Sequence, residues 1–395
     1  MKKKLTFEDN RITLQGIAAA LIFSCSPFMY AIVFGRGLFI YLVLFFVGVI
    51  LFCALSKNCG RIFLHIQMTE ILFLCCMAWE MVTYIWSPAT NFDSFYSLFK
   101  IAVLFFLLST CDYSQKEKTL MMVTVVIVSI LAIYSVLTSG AVFSMEGVDA
   151  MRVSFSFFGV IQDPNYLCFF FLVPIAFLLS IALEKKNNLI KKIVCWLGML
   201  CLLYGILRTG SRGGLIAALV VIAVYICTFQ KQKVKTILLI VIIAGGVVLM
   251  YDQIMSLLPV AISNRFTIAN VMANGASNRS VTWSQYYSAI ANDPAILVLG
   301  KGNGSGAYCF GFAAHNYLLE SWFEYGAVGV ILLVAFYRLI LKNARISHNW
   351  IAYSALWGSI VLSMTLSVGK NLYFWLTVTL INIISKNERK NYGNT

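Results

Sequence analysis

Apolar residues in this chain fall into long blocks separated by short polar breaks. Twelve blocks stand out, at about 12–33, 38–56, 66–86, 94–110, 119–138, 165–183, 193–207, 213–229, 236–251, 315–341, 350–367 and 371–385. Most approach the ~20 residues a helix needs to cross ~30 Å of hydrocarbon. Short blocks such as 371–385 fall below that length. The pattern predicts an all-α polytopic membrane protein of about twelve helices, one transmembrane domain over 1–395.

The breaks are short except at 139–164 and 252–314. Loops beyond ~15 residues are usually functional or disordered. The second contains "VTWSQYYSAI", whose helical spacing and aromatic content predict a segment folded back onto the bundle. Residues 252–314 are therefore expected to form a partly helical extracytoplasmic loop capping the active face. No tandem repeat or low-complexity tract appears. The opening "MKKK" and the apolar run after it could mimic a signal peptide, but Glu8 and Asp9 interrupt the lead-in and no A-x-A-like site follows. A lipobox-like "IFSC" ending at Cys25 lies inside the first block, so that block is read as a retained helix.

Composition agrees with the blocks: 60% of residues are hydrophobic and 12% charged, against about 25% charged in soluble domains. A net charge of +14 raises the question of nucleic acid, and its distribution answers it. With the N-terminus inside, 21 of the 30 Lys and Arg fall on the cytoplasmic side, eight outside, and Lys100 within a span. That is the positive-inside rule, with both termini cytoplasmic and no nucleic-acid partner expected. The eleven cysteines lie mostly in spans or inner loops, where free Cys packs as a small hydrophobe. No CxxC or His/Cys ligand set appears, and three histidines are too few to suggest a metal site.

The choice of cation changes with side. Five of the 21 inner positive residues are Arg, whereas outside six of eight are: Arg36, Arg152, Arg208, Arg212, Arg265 and Arg279. Topology needs only charge, but Arg adds a planar fork that binds carboxylate or phosphate through two bonds. Arginines kept against the gradient point to an anionic ligand at the outer interface. Arg36 and Arg265 are read instead as snorkelling, or pairing with Asp149, Asp163, Asp252 or Asp293. In "RTGSRGG" (208–214), Arg212 stands where one helix ends and the next begins. Glycines permit a tight turn, and a helix N-terminus favours an anion.

In "HNYLLESWFEYGAVG" (315–329), Asn316, Glu320 and Glu324 follow at i, i+4 and i+8 and share one helical face. Glu324 should lie roughly 13 Å below His315. A carboxylate there costs about 2.5–3.5 kcal/mol on insertion scales, so it should face the bundle interior. Gly326 and Gly329 then permit close helix packing. An interfacial His can take a proton from a hydroxyl near neutral pH. The loop "GKGNGSG" (300–306) lacks GxxxxGK[ST], so a nucleotide site is rejected and conformational freedom is expected. Glu80 and Lys100 should sit at similar depth on antiparallel neighbours, predicting an ion pair.

Together these residues resemble the O-antigen ligase and polysaccharide polymerase family. The resemblance rests on the "SRGG" turn of Ser211–Gly214, Arg279 with Trp283, and His315-Asn316 through Glu324, Gly326 and Gly329. "DPNYL" (163–167), with Arg152 upstream, is similar to the family's Pro-Asn element. The match covers about 140–340. It implies a metal-independent, cofactor-free glycosyltransferase of the bacterial inner membrane, active on the extracytoplasmic face. Donor and acceptor would be undecaprenyl-pyrophosphate-linked oligosaccharides, in O-antigen, capsule or exopolysaccharide synthesis, with a chain-length regulator and a flippase as partners. By that resemblance Arg212 and Arg279 hold the pyrophosphate, Arg152 or Arg208 assists, and His315 is general base on the acceptor hydroxyl. Asn165, Ser211, Asn316 and Glu324 complete the expected substrate-contacting set. Such chemistry needs charge stabilisation on the leaving group more than a nucleophile. Polymerase is preferred among subfamilies because no extra soluble domain for a protein acceptor is evident. Alternatives are a ligase transferring glycan to lipid A core and, in a different class, a transporter or flippase using Glu80, Lys100 and Glu324.

Overall fold

The computed structural model describes residues 12–29, 31–33, 36–55, 65–89, 92–138, 142–143, 152–153, 156–157, 160–161, 163–229, 245–246, 249–256, 258–267 and 279–386. Within them the apolar blocks become helices. Eight are long and apolar enough to cross a membrane: α2 (Leu38–Leu55), α3 (Met68–Val82, continued by a 3-10 turn to Trp86), α4 (Phe92–Ser109), α5 (Gln115–Thr138), α6 (Pro164–Leu183), α7 (Leu189–Arg208), α8 (Arg212–Phe229) and α14 (Tyr317–Ile346). Three more blocks give shorter apolar helices: α1 (Leu14–Ser24), α15 (Trp350–Ser363) and α16 (Leu372–Ser385). The block at 236–251 lies almost wholly outside the described residues. The chain is thus a helical polytopic membrane protein, with eight helices long enough to span and three shorter apolar helices among the described residues. Three two-residue antiparallel ladders, pairing 32–33 with 36–37, 142–143 with 152–153 and 156–157 with 160–161, are the described β structure.

The shortest late block is the most enclosed. Every residue of α16 is buried, although at 1.5 Å per residue its 14 residues reach only about 21 Å. A helix with protein on all sides has no lipid thickness to match. Phe374 meets Phe169 of α6 edge-on at 5.2 Å, and Trp375 meets Phe73 of α3 at 5.2 Å. Phe73 in turn stacks on Phe105 of α4 at 3.8 Å and touches Phe336 of α14 at 5.4 Å. The polar residues of α16 bond inside the bundle: Thr377 and Thr379 hydroxyls donate to the carbonyls of Tyr373 and Trp375.

One end of the bundle is tied by ions. Glu70, in the first turn of α3, meets Lys386 Nζ at 2.9 Å and accepts from Asn382 Nδ2 at 2.9 Å. Its other oxygen accepts the Gln67 N–H at 2.8 Å, closing a capping box. Lys386 also donates to the Ser109 carbonyl, joining α3, α4 and α16.

The expected pair of Glu80 with Lys100 does not form. Lys100 lies over the Tyr96 ring one turn away on α4, 4.6 Å from its centroid. Glu80 is buried facing Glu324 and Lys370.

The long loop is helical where described: α9 (Tyr251–Ser256), α10 (Val260–Phe266), α11 (Arg279–Asn292), α12 (Pro294–Leu299) and α13 (Ser305–Phe310). The last three pack on the first half of α14. That half ends abruptly, because Gly326 has φ 65° and ψ −172° and breaks α14 in two.

Candidate functional site

The expected site residues gather around a segment the sequence reading passed over. Residues 364–371, "MTLSVGKN", join α15 to α16. A Cβ built on Gly213 would lie 2.4 Å from Thr365 Oγ1, so the first turn of α8 rests on Thr365. Two residues on, Ser367 Oγ accepts the His315 N–H at 3.0 Å, and its carbonyl accepts Tyr166 Oη of α6 at 2.9 Å. Gly369 abuts the Tyr317 ring, and Lys370 Nζ donates to Ser94 Oγ at 3.1 Å. This segment connects the "SRGG" turn, the "DPNY" helix start and His315. Its first residues were absorbed into the apolar block 350–367. The available signal was Lys370, one of only two lysines on the expected outer side.

The Arg-xxx-Trp element has a mechanical basis. Arg279 and Trp283 are four residues apart and share a face of α11. Trp283 Nε1 donates to the Ala314 carbonyl at 2.8 Å, and Tyr286 Oη donates to the Phe312 carbonyl at 3.0 Å. These bonds fix the chain just before His315 and keep it within electrostatic reach of Arg279. His315 is exposed along one edge, with φ 49° in the left-handed region that His adopts more readily than most residues. Protein bulk around the ring, then the Arg279 guanidinium, hold its pKa below the ordinary 6.5, while Asp163 pushes the other way. Asp163 caps α6, its Oδ1 accepting the Asn165 N–H at 2.7 Å, with Pro164 at the first helical position.

Several of the expected substrate-contacting residues also have structural roles. Ser211 is buried and caps α8, its Oγ accepting the Gly214 N–H at 3.1 Å. Asn316 caps α14 through Oδ1, which accepts the Leu319 N–H at 3.2 Å. Ser and Asn are favoured at this position because they satisfy amides with no helical partner. The glycines after Arg212 serve close packing, since a Cβ on Gly214 would lie 2.4 Å from Cys168 Sγ. Arg212 remains half-buried at the start of α8, and Asn165 half-buried at the start of α6. Arg208 ends α7, its Nε buried without a hydrogen-bond partner. Arg265, expected to snorkel or pair with an Asp, donates from Nε to the Gly210 carbonyl at 3.2 Å and braces the turn. The side chains of Arg36 and Arg152 lie outside the described residues.

Below His315 the character changes from cationic to acidic. Glu80, Glu320 and Glu324 approach one another around Lys370. A cavity of about 60 Å³ is lined by Tyr317, Glu320, Ser321, Glu324, Tyr325, Ser367, Gly369 and Lys370. The glycine loop 300–306 closes against it and is not free, correcting the expectation of conformational freedom. Lys301 and Gly302 donate their N–H groups to the Phe323 and Glu324 carbonyls at 2.8 and 2.9 Å, and Gly306 N–H donates to Glu324 Oε1 at 3.2 Å. The break at Gly326 releases carbonyls from the helix ladder, and the loop and Trp79, whose Nε1 donates to the Tyr325 carbonyl, take them up. A Cβ on Gly300 would lie 2.4 Å from the Glu324 oxygen.

Comparison with known proteins finds no matching family model and no significantly similar curated protein.

Proposed function

We propose that this membrane protein is a glycosyltransferase that polymerises undecaprenyl-pyrophosphate-linked oligosaccharide repeat units on the outer face of the bacterial inner membrane. The observation that carries the reading is that the chain before His315 is held to the helix bearing Arg279, which puts that guanidinium within electrostatic reach of the imidazole. Burial first, and then a cation of the kind a pyrophosphate needs, lower the pKa of the imidazole. The acceptor hydroxyl loses its proton to His315 and attacks the sugar carbon bound to the pyrophosphate. The departing lipid pyrophosphate takes the bonding pair, its charge balanced by Arg212 and Arg279 with Arg208 beside them.

The test is extension of a lipid-linked repeat unit by purified protein. His315→Asn suits the left-handed backbone while removing the base, and Arg212→Lys keeps charge but loses the fork. Both should lower turnover by about 10²-fold or more, and full activity in both would sink the mechanism. Polymer length in a deletion strain separates the subfamilies: loss of long lipid-linked chains marks a polymerase, and accumulation of long unligated chains marks a ligase.

A specific observation favours a second reading. Transporter sites are commonly built where a span is discontinuous, and α14 breaks at Gly326 beside buried carboxylates. Solute uptake by proteoliposomes, with no consumption of lipid-linked oligosaccharide, would make the protein a transporter.

A further inference from the structure

The cavity under His315 is unlike the arginine-lined rim above it. Two of its side chains are nine-tenths buried without a well-aligned hydrogen bond: Tyr317, 2% exposed, through Oη, and Ser321, 2% exposed, through Oγ, two oxygens that have only each other close by. Glu320 Oε2, in the same lining, is also buried and unpartnered. Native proteins satisfy nearly all such atoms, and leaving one unpaired costs about 1–3 kcal/mol. Three in one cavity mark a place built for a polar guest.

The lining selects the guest. Glu320 and Glu324 repel an anion, so phosphate belongs elsewhere. The carboxylates accept, and the Tyr317 and Ser321 hydroxyls can donate or accept, a mixture that suits a ligand rich in O–H groups. Two tyrosines, Tyr317 and Tyr325, add flat apolar faces. No grouping of three or more His, Cys, Asp or Glu among the described residues has metal-ligand geometry. At about 60 Å³ the cavity accepts a few water-sized groups, the hydroxyl edge of one sugar ring and not an oligosaccharide.

We infer that this cavity is the subsite for the hydroxyl edge of a neutral sugar, held by Glu320, Ser321 and Tyr317. The 364–371 segment sets the spacing: Thr365 rests on the arginine-bearing turn, Ser367 holds the His315 amide, and Lys370 closes the acidic end. The site therefore has two halves, pyrophosphate on one side of His315 and sugar on the other. This deepens the transferase reading and rests on it for the identity of the sugar as substrate.

The experiment measures binding of methyl glycosides of glucose, galactose and N-acetylglucosamine, with glucuronate as the anionic comparison. It uses purified full-length protein in detergent and saturation-transfer NMR. At least one neutral glycoside should bind, with glucuronate weaker by about ten-fold or more. Glu320→Gln and Ser321→Ala should each weaken the neutral ligand about ten-fold, while Arg212→Lys leaves it unchanged. Absence of binding by every neutral glycoside, equal binding of glucuronate, or indifference to both cavity variants overturns the inference. Glu320→Gln is isosteric and Ser321→Ala removes one oxygen, so a folding failure in one leaves the other decisive. Sugar binding without any transfer from a lipid-linked donor would support the cavity and discard the transferase. Transfer without sugar binding would do the reverse.

Discussion

His315 carries the sharpest consequence at the scale of single residues. Its pKa is depressed first by burial, then by Arg279, with Asp163 opposing. A base must be deprotonated to act, so transfer should fall on the acid side with an apparent pKa below 6.5. Arg279→Gln removes a positive neighbour, makes protonation easier and moves this limb toward neutrality. Asp163→Asn moves it the other way and keeps the α6 cap, because Asn serves there about as well as Asp. The limb's position in a kcat/KM profile against pH is the readout, independent of how much either variant lowers the plateau. A profile unchanged in both variants removes His315 as the base. Arg212 and Arg279 stood out in the sequence because arginine on the expected outer side runs against the charge gradient. Ser211 and Asn316 also cap helices, a role the sequence pattern did not reveal because the residue types that contact ligands are the ones favoured as caps. Thr365 and Ser367 were hidden inside an apolar block.

At the scale of elements, the broken helix α14 depends on backbone shapes that side chains resist. Gly326 and Gly300, with φ 65° and ψ −172° and with φ 82° and ψ 166°, occupy a region that is essentially glycine's alone. A Cβ on Gly326 would also lie 2.2 Å from the Val298 carbonyl oxygen. Gly326→Ala should therefore destabilise by about 2–5 kcal/mol, combining backbone strain with a forced main-chain shift. Thermal unfolding in detergent measures it, and Gly329→Ala is not an equivalent control because Tyr325 Cβ crowds that site too. A glycine-rich stretch reads as freedom when seen alone. Here its partners are carbonyls more than twenty residues further along, a distance no local pattern reveals.

At the scale of the molecule, the apolar blocks located eleven of the described helices, and their lengths misjudged the role of the last. Hydropathy registers how apolar a segment is but not whether lipid or protein surrounds it, so α16 looked like a weak span. Depth alone likewise suggested Glu80 with Lys100, whereas the charged tie joins Glu70 and Lys386 at the other end. Glu70→Gln leaves the Lys386 charge buried without its partner and should cost about 3–5 kcal/mol. The double variant with Lys386→Met should recover most of that loss in Tm, and equal loss in single and double variants would refute the coupling. The enclosure of α16 also bears on assembly. Synthesis proceeds in sequence order, so α3, α4, α6 and α14 leave the ribosome before the helix that fills the space among them. Each must enter the bilayer on its own hydropathy, with the axis of the bundle still vacant. The arrival of Leu372–Ser385 is then the event that commits the earlier helices to one arrangement.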